Sequence, residues 1–257
     1  MANDAILFRP GPVNGKEFFR TRPSNPGPVL TWHPTYAELS STGDLGWTTG
    51  PWEYRSDKDK PAEAWGHFAS VWKKQTNGKW KVLFDEGHSC QSPPDDSLTW
   101  GRLSSKIAEG DIALIKQFTT AHTKLIEVDG AYSQALVADG IGGALAKFGD
   151  EDVRVLREDQ PLLVGAEASG KALEHEWDGR APTWNTSAGT ISNGTDLAVT
   201  YGTVSLAKKG KVKAEDRKVF RIWRRAPDGG WKLALDVTNP MPAPAPPPKN
   251  AAATKKS

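Results

Sequence analysis

Two stretches of this chain repeat one another. The segment TWHPTYAELSSTGDLGWTTG, residues 31–50, recurs as TWNTSAGTISNGTDLAVTYG, residues 183–202, at a constant offset of 152 residues. A second block, in which Trp72 matches Trp223, follows at an offset of 151. A period of about 150 residues is far longer than that of solenoid or propeller repeats. Each copy is therefore predicted to form a domain with its own core.

Alternating residues within each copy predict antiparallel strands. Apolar and aromatic residues alternate with polar ones over residues 28–40 and 44–54, on either side of STGD. Further runs of this kind flank TNG in the first copy and PDG in the second, and Asn-Gly and Asp-Gly are strong hairpin signals. Ahead of the second copy, residues 103–148 have helical spacing. The predicted class is α+β, with helices packed on a curved antiparallel sheet in each domain.

The repeated pattern resembles a known superfamily. The residues DAILFRPGPVNGKE … W.P … S..GDL.W..G … W … DG.WK…D resemble the nuclear transport factor 2-like superfamily, specifically its SnoaL-like and 4440-type uncharacterised members. The resemblance covers about residues 4–89 and 119–240. It implies two tandem cone-shaped domains packed sheet to sheet, either as a monomer with an internal pseudo-dimer or as a homodimer, because many relatives associate through that surface.

These matches suggest four segments. We expect a first domain at residues 1–92, a linker or lid helix at 93–118, a second domain at 119–240 and a disordered tail rich in Pro, Ala and Lys at 241–257. The first copy lacks the long helix that opens domains of this family. Residues 103–118 are predicted to supply the missing lid; the alternative is that residues upstream of this sequence are missing.

Composition narrows the range of partners. The chain has 33 Lys and Arg against 31 Asp and Glu, so no strong field of one sign steers it to nucleic acid. No run of eighteen apolar residues predicts a membrane span, and the N-terminal residues lack the features of a secretory signal. We expect a soluble protein, cytoplasmic as written and exported if an upstream signal has been removed. The compartment is otherwise unknown.

No cofactor or metal is predicted. Cys90 is the only cysteine, and beside His88 it is interpreted as an ordinary loop thiol. The histidines are scattered, without a short ligand pair on one element, which argues against a dedicated metal site. The G-x-x-x-x-G-K match that begins at Gly165 lacks the hydroxyl that magnesium requires, because Ala172 follows the lysine.

Four residues are candidates for acid–base catalysis. Asp85 and Asp236 end the last strand of each copy at matched positions. An apolar cavity would raise the pKa of such a carboxyl group towards neutrality. Strict alternation, however, places Asp85 with Lys81 on the face away from the pocket unless a bulge intervenes, so both aspartates are interpreted as strand-end anchors. His33 and His67 are the other candidates, and both are expected at the surface.

Eleven tryptophans predict an aromatic core or an aromatic pocket. The tryptophans that both copies share, including Trp32 and Trp72, are interpreted as core, whereas Trp47 and Trp52 are freer to serve function. Ser70 of the first copy stands where the second has Arg221, which would need a carboxylate or an anionic ligand if it pointed inward. The predicted ligand-binding residues are Trp32, Trp47, Trp52, Ser70, Trp72, Trp184, Tyr201, Arg221 and Trp223.

Three functions fit this sequence. The first hypothesis is binding of a small, mostly apolar or aromatic molecule in one or both cones. The second is a cofactor-independent enzyme of the SnoaL or ketosteroid-isomerase kind, with isomerase, cyclase or dehydratase-like activity. The third is an assembly module whose cones are filled by side chains. The sequence predicts the fold but does not identify a substrate.

Overall fold

The computed structural model describes residues 1–8, 12–21, 27–94, 114–177 and 179–241. Within them the chain forms two sheets, of seven and six strands, and four helices. The predicted α+β class with two tandem domains is confirmed. Residues 103–113 of the predicted lid and the predicted tail from residue 242 onwards lie outside the described residues.

The first copy is built around three long antiparallel strands. The order along the sheet is β2-β1-β7-β6-β5-β3, and β4 also pairs with β5. The elements are β1 (Ile6–Phe8), β2 (Pro12–Asn14), α1 (Gly15–Thr21), β3 (Val29–Trp32), β4 (Tyr36–Leu39), β5 (Leu45–Arg55), β6 (Ala64–Lys74) and β7 (Trp80–Cys90).

The second copy repeats this strand order. Its sheet runs β10-β11-β12-β13-β8-β9, and the first strand of each copy pairs parallel with the last. The elements are α2 (Leu114–Ala138), α3 (Gly140–Phe148), β8 (Gly149–Leu156), β9 (Leu163–Val164), α4 (Ala166–Ala172), β10 (Pro182–Ile191), β11 (Leu197–Leu206), β12 (Glu215–Arg225) and β13 (Trp231–Pro240).

Helices distinguish the two copies. The long helix α2 begins at Leu114, within the segment that the sequence suggested as linker, and packs on β10 and β11 of the second sheet. The first sheet has no corresponding pair of helices among the described residues, as the sequence predicted. None of the described helices is long and apolar enough to cross a membrane.

Two apolar cores hold the molecule together. One lies between the sheets and takes side chains from both copies, among them Trp47, Phe84, Val199 and Phe220. The other lies between the second sheet and its helices and centres on Tyr132, Leu145 and Trp223. Because the first core is shared, the two copies form an internal pseudo-dimer.

The repeated turns bind one another. The amide of Ser41 donates to Asp196 Oδ2 (2.6 Å), and the amide of the matching Asn193 donates to Asp44 Oδ2 (3.0 Å). Gly194 permits this approach, since a Cβ atom there would lie 2.4 Å from the Ser41 hydroxyl oxygen. The reciprocal pattern is that of a two-fold interface, here within one chain.

Candidate functional site

The first sheet carries a cleft of about 490 Å³ on the face opposite the shared core. Strands β5 and β6 direct alternate side chains to this face, as a pleated sheet requires. Trp32 is 50% exposed, and its ring packs edge-on against Phe68 with the centroids 5.1 Å apart. The apolar lining consists of Leu30, Trp32, Trp52, Tyr54, Ala64, Phe68, Trp72 and Val82.

Two of the indole rings in the cleft are fixed by hydrogen bonds. Trp52 Nε1 donates to the carbonyl oxygen of His67 (3.2 Å), and Trp72 Nε1 donates to Thr48 Oγ1 (3.0 Å). Gly66 makes room for the first ring, because a Cβ atom there would lie 2.6 Å from the Trp52 indole. The aromatic wall is therefore positioned before any ligand binds.

A β-bulge at Leu83 turns Asp85 into the cleft. Trp72 pairs with Val82 whereas Val71 pairs with Phe84, so Leu83 is an extra residue on β7. The prediction from strict alternation, that Asp85 faces away from the pocket, is wrong because the bulge shifts the alternation by one residue. Asp85 lines the cleft.

The second copy has the same bulge at Ala234. Ile222 pairs with Leu235 and Trp223 pairs with Leu233, which leaves Ala234 as the extra residue. Asp236 is fully buried within its own domain. Its interpretation as a strand-end anchor is wrong for the same reason.

The polar groups of the cleft come from both copies. Asp85 Oδ1 accepts a hydrogen bond from the Ser70 hydroxyl (2.6 Å). Glu86, the next residue on β7, pairs with Ala69 on the core side of the sheet and forms a buried ion pair with Lys218 of β12 in the second copy, and this pair borders the cleft. The cleft thus combines a wide aromatic wall with one serine-bonded carboxylate and one neutralised carboxylate.

The corresponding space in the second copy is filled. Arg221 occupies the position of Ser70, is 1% exposed, and pairs with Asp129 on α2 (3.0 Å) and with Asp236 (3.5 Å). Its guanidinium lies over the rings of Tyr132 and Trp184. Only about 10 Å³ of space remains there, about the least that one water molecule needs.

The charges around Arg221 determine the protonation states of Asp236 and Tyr132. Burial by itself would raise the pKa of Asp236, but Arg157 and Arg221 lower it below the ordinary value for aspartate. Burial and the neighbouring Asp236 raise the pKa of Tyr132 far above its ordinary value, and the Tyr132 hydroxyl donates to Asp236 (3.0 Å). Asp236 is thus a fixed anion, and it is unsuited to exchange protons near neutrality.

The structure separates the predicted ligand-binding residues into three groups. Trp32, Trp52, Ser70 and Trp72 meet in the cleft. Trp47 instead lies in the shared core, where it is 1% exposed and its Nε1 donates to Glu38 (3.0 Å). In the second copy, Trp184, Tyr201 and Arg221 surround the filled space. Trp223 lies in the core beneath the helices.

The expectation that shared tryptophans form the core holds for only one copy. Trp223 is 0% exposed beneath α2 and α3, whereas Trp72 at the matching position lines the open cleft. Trp32 and Trp80, which match Trp184 and Trp231 of the second copy, are exposed. The reason is that helices cover the second sheet only, within the described residues.

The two histidine candidates, His33 and His67, lie in different environments. His33 is exposed, as expected, but His67 is only 6% exposed, because it faces the second copy from β6. His67 stacks against His88, whose pKa is lowered to about 3 by burial, by His67 and by Arg157. Cys90, interpreted as a loop thiol, ends β7 beside both histidines.

Sequence reasoning missed several parts of the site. Tyr54 and Phe68 line the cleft although neither was predicted as ligand-binding. A period-two count outward from Ser70 and Trp52 would have found both. Glu86, Lys218 and Asp129 carried no such signal, because their partners come from the other copy or from a helix distant in sequence.

Solved structures match this chain over about half its length. A nuclear transport factor 2-like protein with a cystatin-like fold from Novosphingobium aromaticivorans is 17% identical with a TM-score of 0.44, covering 54% of this chain and 95% of its own. A putative dehydratase from the same family, from Streptomyces avermitilis, is 16% identical with a TM-score of 0.40 and coverages of 49% and 99%. A ketosteroid isomerase-like protein from Erwinia carotovora atroseptica is 16% identical with a TM-score of 0.39 and coverages of 47% and 96%.

These comparisons concern the fold alone. Both sheets of this chain have the same strand order, and the matched proteins each span about one copy. No protein-family model and no curated protein matches the chain.

Proposed function

We propose that the cleft on the first sheet binds a small, flat, mostly aromatic molecule that carries one hydrogen-bond donor. The supporting observation is the combination of an aromatic wall with the Asp85 carboxylate in one cleft of about 490 Å³. Pockets for small ligands usually enclose about 300–1,000 Å³ and are lined by apolar side chains with a few polar groups. The proposal assigns binding to the first copy only.

The Asp85 carboxylate favours a ligand that carries a hydrogen-bond donor. Glu86 is compensated by Lys218, and Asp85 is the other acidic side chain of the lining. A carboxylate accepts hydrogen bonds at two oxygens, one of which receives the Ser70 hydroxyl. A phenolic hydroxyl or an amine on the ligand would donate to this carboxylate.

The experiment compares 2-naphthol with naphthalene, which has the same ring system without the hydroxyl. Calorimetry should give tighter binding of 2-naphthol to the unmodified chain. Trp32→Ala should weaken that binding roughly 2- to 10-fold, because an aromatic contact contributes about 0.5–1.5 kcal/mol.

Trp80→Ala is the matched control, since Trp80 is also an exposed tryptophan but lies outside the cleft lining. Equal losses in both variants, or no binding of either compound, would reject the cleft as the site.

A second candidate function is acid–base catalysis at the same cleft. The observation that favours it is the bulge, which directs Asp85 towards any bound molecule. A carboxylate held against an aromatic ring can remove a proton next to a ketone. The third hypothesis, an assembly module, requires filled cones and has support only from the second copy.

Proton exchange separates binding from catalysis. The chain should accelerate exchange of the α-protons of 2-tetralone with deuterium oxide, measured by NMR, and Asp85→Asn should abolish the acceleration while 2-naphthol still binds. Ser70→Ala, which keeps the carboxylate, should retain part of the rate. If the unmodified chain leaves exchange at the solvent rate, the protein is a binder.

A further inference from the structure

Three side chains with metal-binding atoms meet where the two copies touch. His67 on β6 and His88 on β7 are cross-strand partners, and Cys90 lies two residues beyond His88. Because side chains repeat every second residue on a strand, all three project from the same face of the sheet. His67 and His88 are 6% and 2% exposed, and Cys90 is half-buried.

The distances suit one metal ion. Cys90 Sγ lies 3.5 Å from His88 Nε2 and 3.8 Å from His67 Nδ1, and one ligand atom from each residue lies within 4.8 Å of the others. A tetrahedral zinc ion has bonds of about 2.0–2.1 Å to nitrogen and about 2.3 Å to sulfur, so its ligand atoms lie about 3.3–3.7 Å apart. Small rotations of the rings would close the remaining gap.

A fourth ligand atom comes from the second copy. The carbonyl oxygen of Gln160, in the turn between β8 and β9, is 3.2 Å from His88 Nε2 and 3.2 Å from Cys90 Sγ. Its neighbours Glu158 and Asp159 bring two carboxylates to this turn, and both act on the Cys90 thiol electrostatically. Negative charge of this kind favours a bound cation.

We propose that His67, His88 and Cys90, completed by the Gln160 carbonyl, form a zinc site that joins the two copies. The two imidazoles and one thiolate are the donor set that zinc prefers over magnesium or calcium. Binding releases the thiol proton to solvent, and no electron is transferred. The matching positions of the second copy hold Lys218, Asn239 and Met241, so the chain has one such site rather than two.

Cobalt titration tests the site directly. After treatment with a chelator, the full chain should bind one Co²⁺ with visible d–d bands and a near-ultraviolet band from thiolate to cobalt. Cys90→Ser, which is nearly isosteric, should lose the thiolate band. His67→Gln and His88→Gln should each weaken cobalt binding at least tenfold, whereas His33→Gln, at an exposed histidine outside the cluster, should leave it unchanged.

The lone cysteine gives a second readout that does not depend on histidine variants folding. Because Cys90 is the only thiol in the chain, its modification by a disulfide reagent reports this site alone. Equimolar Zn²⁺ should slow that modification at least tenfold, and Mg²⁺ should not. Unchanged thiol reactivity with Zn²⁺, or a cobalt spectrum that survives both histidine variants, would overturn the proposal.

Discussion

A few side chains decide which copy is open. Ser70 and Arg221 occupy matching positions, and so do Asp85 and Asp236. In the first copy a small hydroxyl beside a carboxylate leaves space for a ligand. In the second, the guanidinium fills that space and binds the carboxylate. The repeat therefore conserves an inward acidic residue and changes what it faces.

Asp236→Asn should destabilise the protein at neutral pH and flatten its response to acid. Because Arg157 and Arg221 lower the pKa of Asp236, its stabilising contribution is complete above the ordinary pKa of aspartate, about 3.9, and is lost as the pH falls through the lower value in the folded state. Removing one partner of a buried ion pair costs about 3–5 kcal/mol. Urea unfolding at pH values from 7 to 2 would measure both effects.

One control helps to isolate that effect. Glu176 shares Arg157 with Asp236, and Asp236 contributes to its raised pKa, so part of the changed acid response comes from Glu176. Asp228→Asn changes an aspartate whose carboxylate binds only its own exposed turn, so it should leave both quantities nearly unchanged. An acid response of Asp236→Asn that parallels the unmodified chain would contradict the assignment.

Local elements set the limits of what the sequence could predict. The repeat, the strands around TNG and PDG and the helices before the second copy were all legible, because each has a local periodicity or a turn signature. The bulges at Leu83 and Ala234 were not, since no residue type marks them, and each reverses the face of an aspartate. Whether a shared tryptophan is buried depends on whether helices cover its sheet. Helix packing of this kind is a tertiary property that no local pattern shows.

The paired turns are the other element that joins the copies. Asp44 and Asp196 each close their own turn through a serine hydroxyl and accept an amide hydrogen bond from the opposite turn. Asp196→Ala should lower the free energy of unfolding by about 1.5–3 kcal/mol, since hydrogen bonds to a charged group contribute about that much. Urea unfolding of this variant would measure the loss.

Asp228→Ala is the control here too, because its bond to Gly230 stays within one exposed turn. It should cost about 0.5 kcal/mol or less, near the lower end for a single hydrogen bond. Equal losses at both positions would mean that the contact between the turns adds nothing.

The whole molecule depends on a core that belongs to neither copy alone. Phe84 of the first copy packs against Tyr201 and Phe220 of the second, and Glu38 of the first binds Arg224 of the second. The sequence predicted this arrangement through the resemblance to homodimeric relatives. It could not predict that Lys218 and Gln160 would reach across the interface, because contacts of that range leave no local pattern.

The filled space in the second copy also predicts how the proposed binding would depend on ligand concentration. In a symmetric homodimer the two subunits have the same sequence and therefore the same site. Two equivalent sites can be coupled across the interface. Here the cones differ: among the described residues, the first copy has a cleft of about 490 Å³ and the matching space of the second is filled. Saturation should therefore follow a simple hyperbola with one molecule bound per chain, and occupancy should carry no cooperativity.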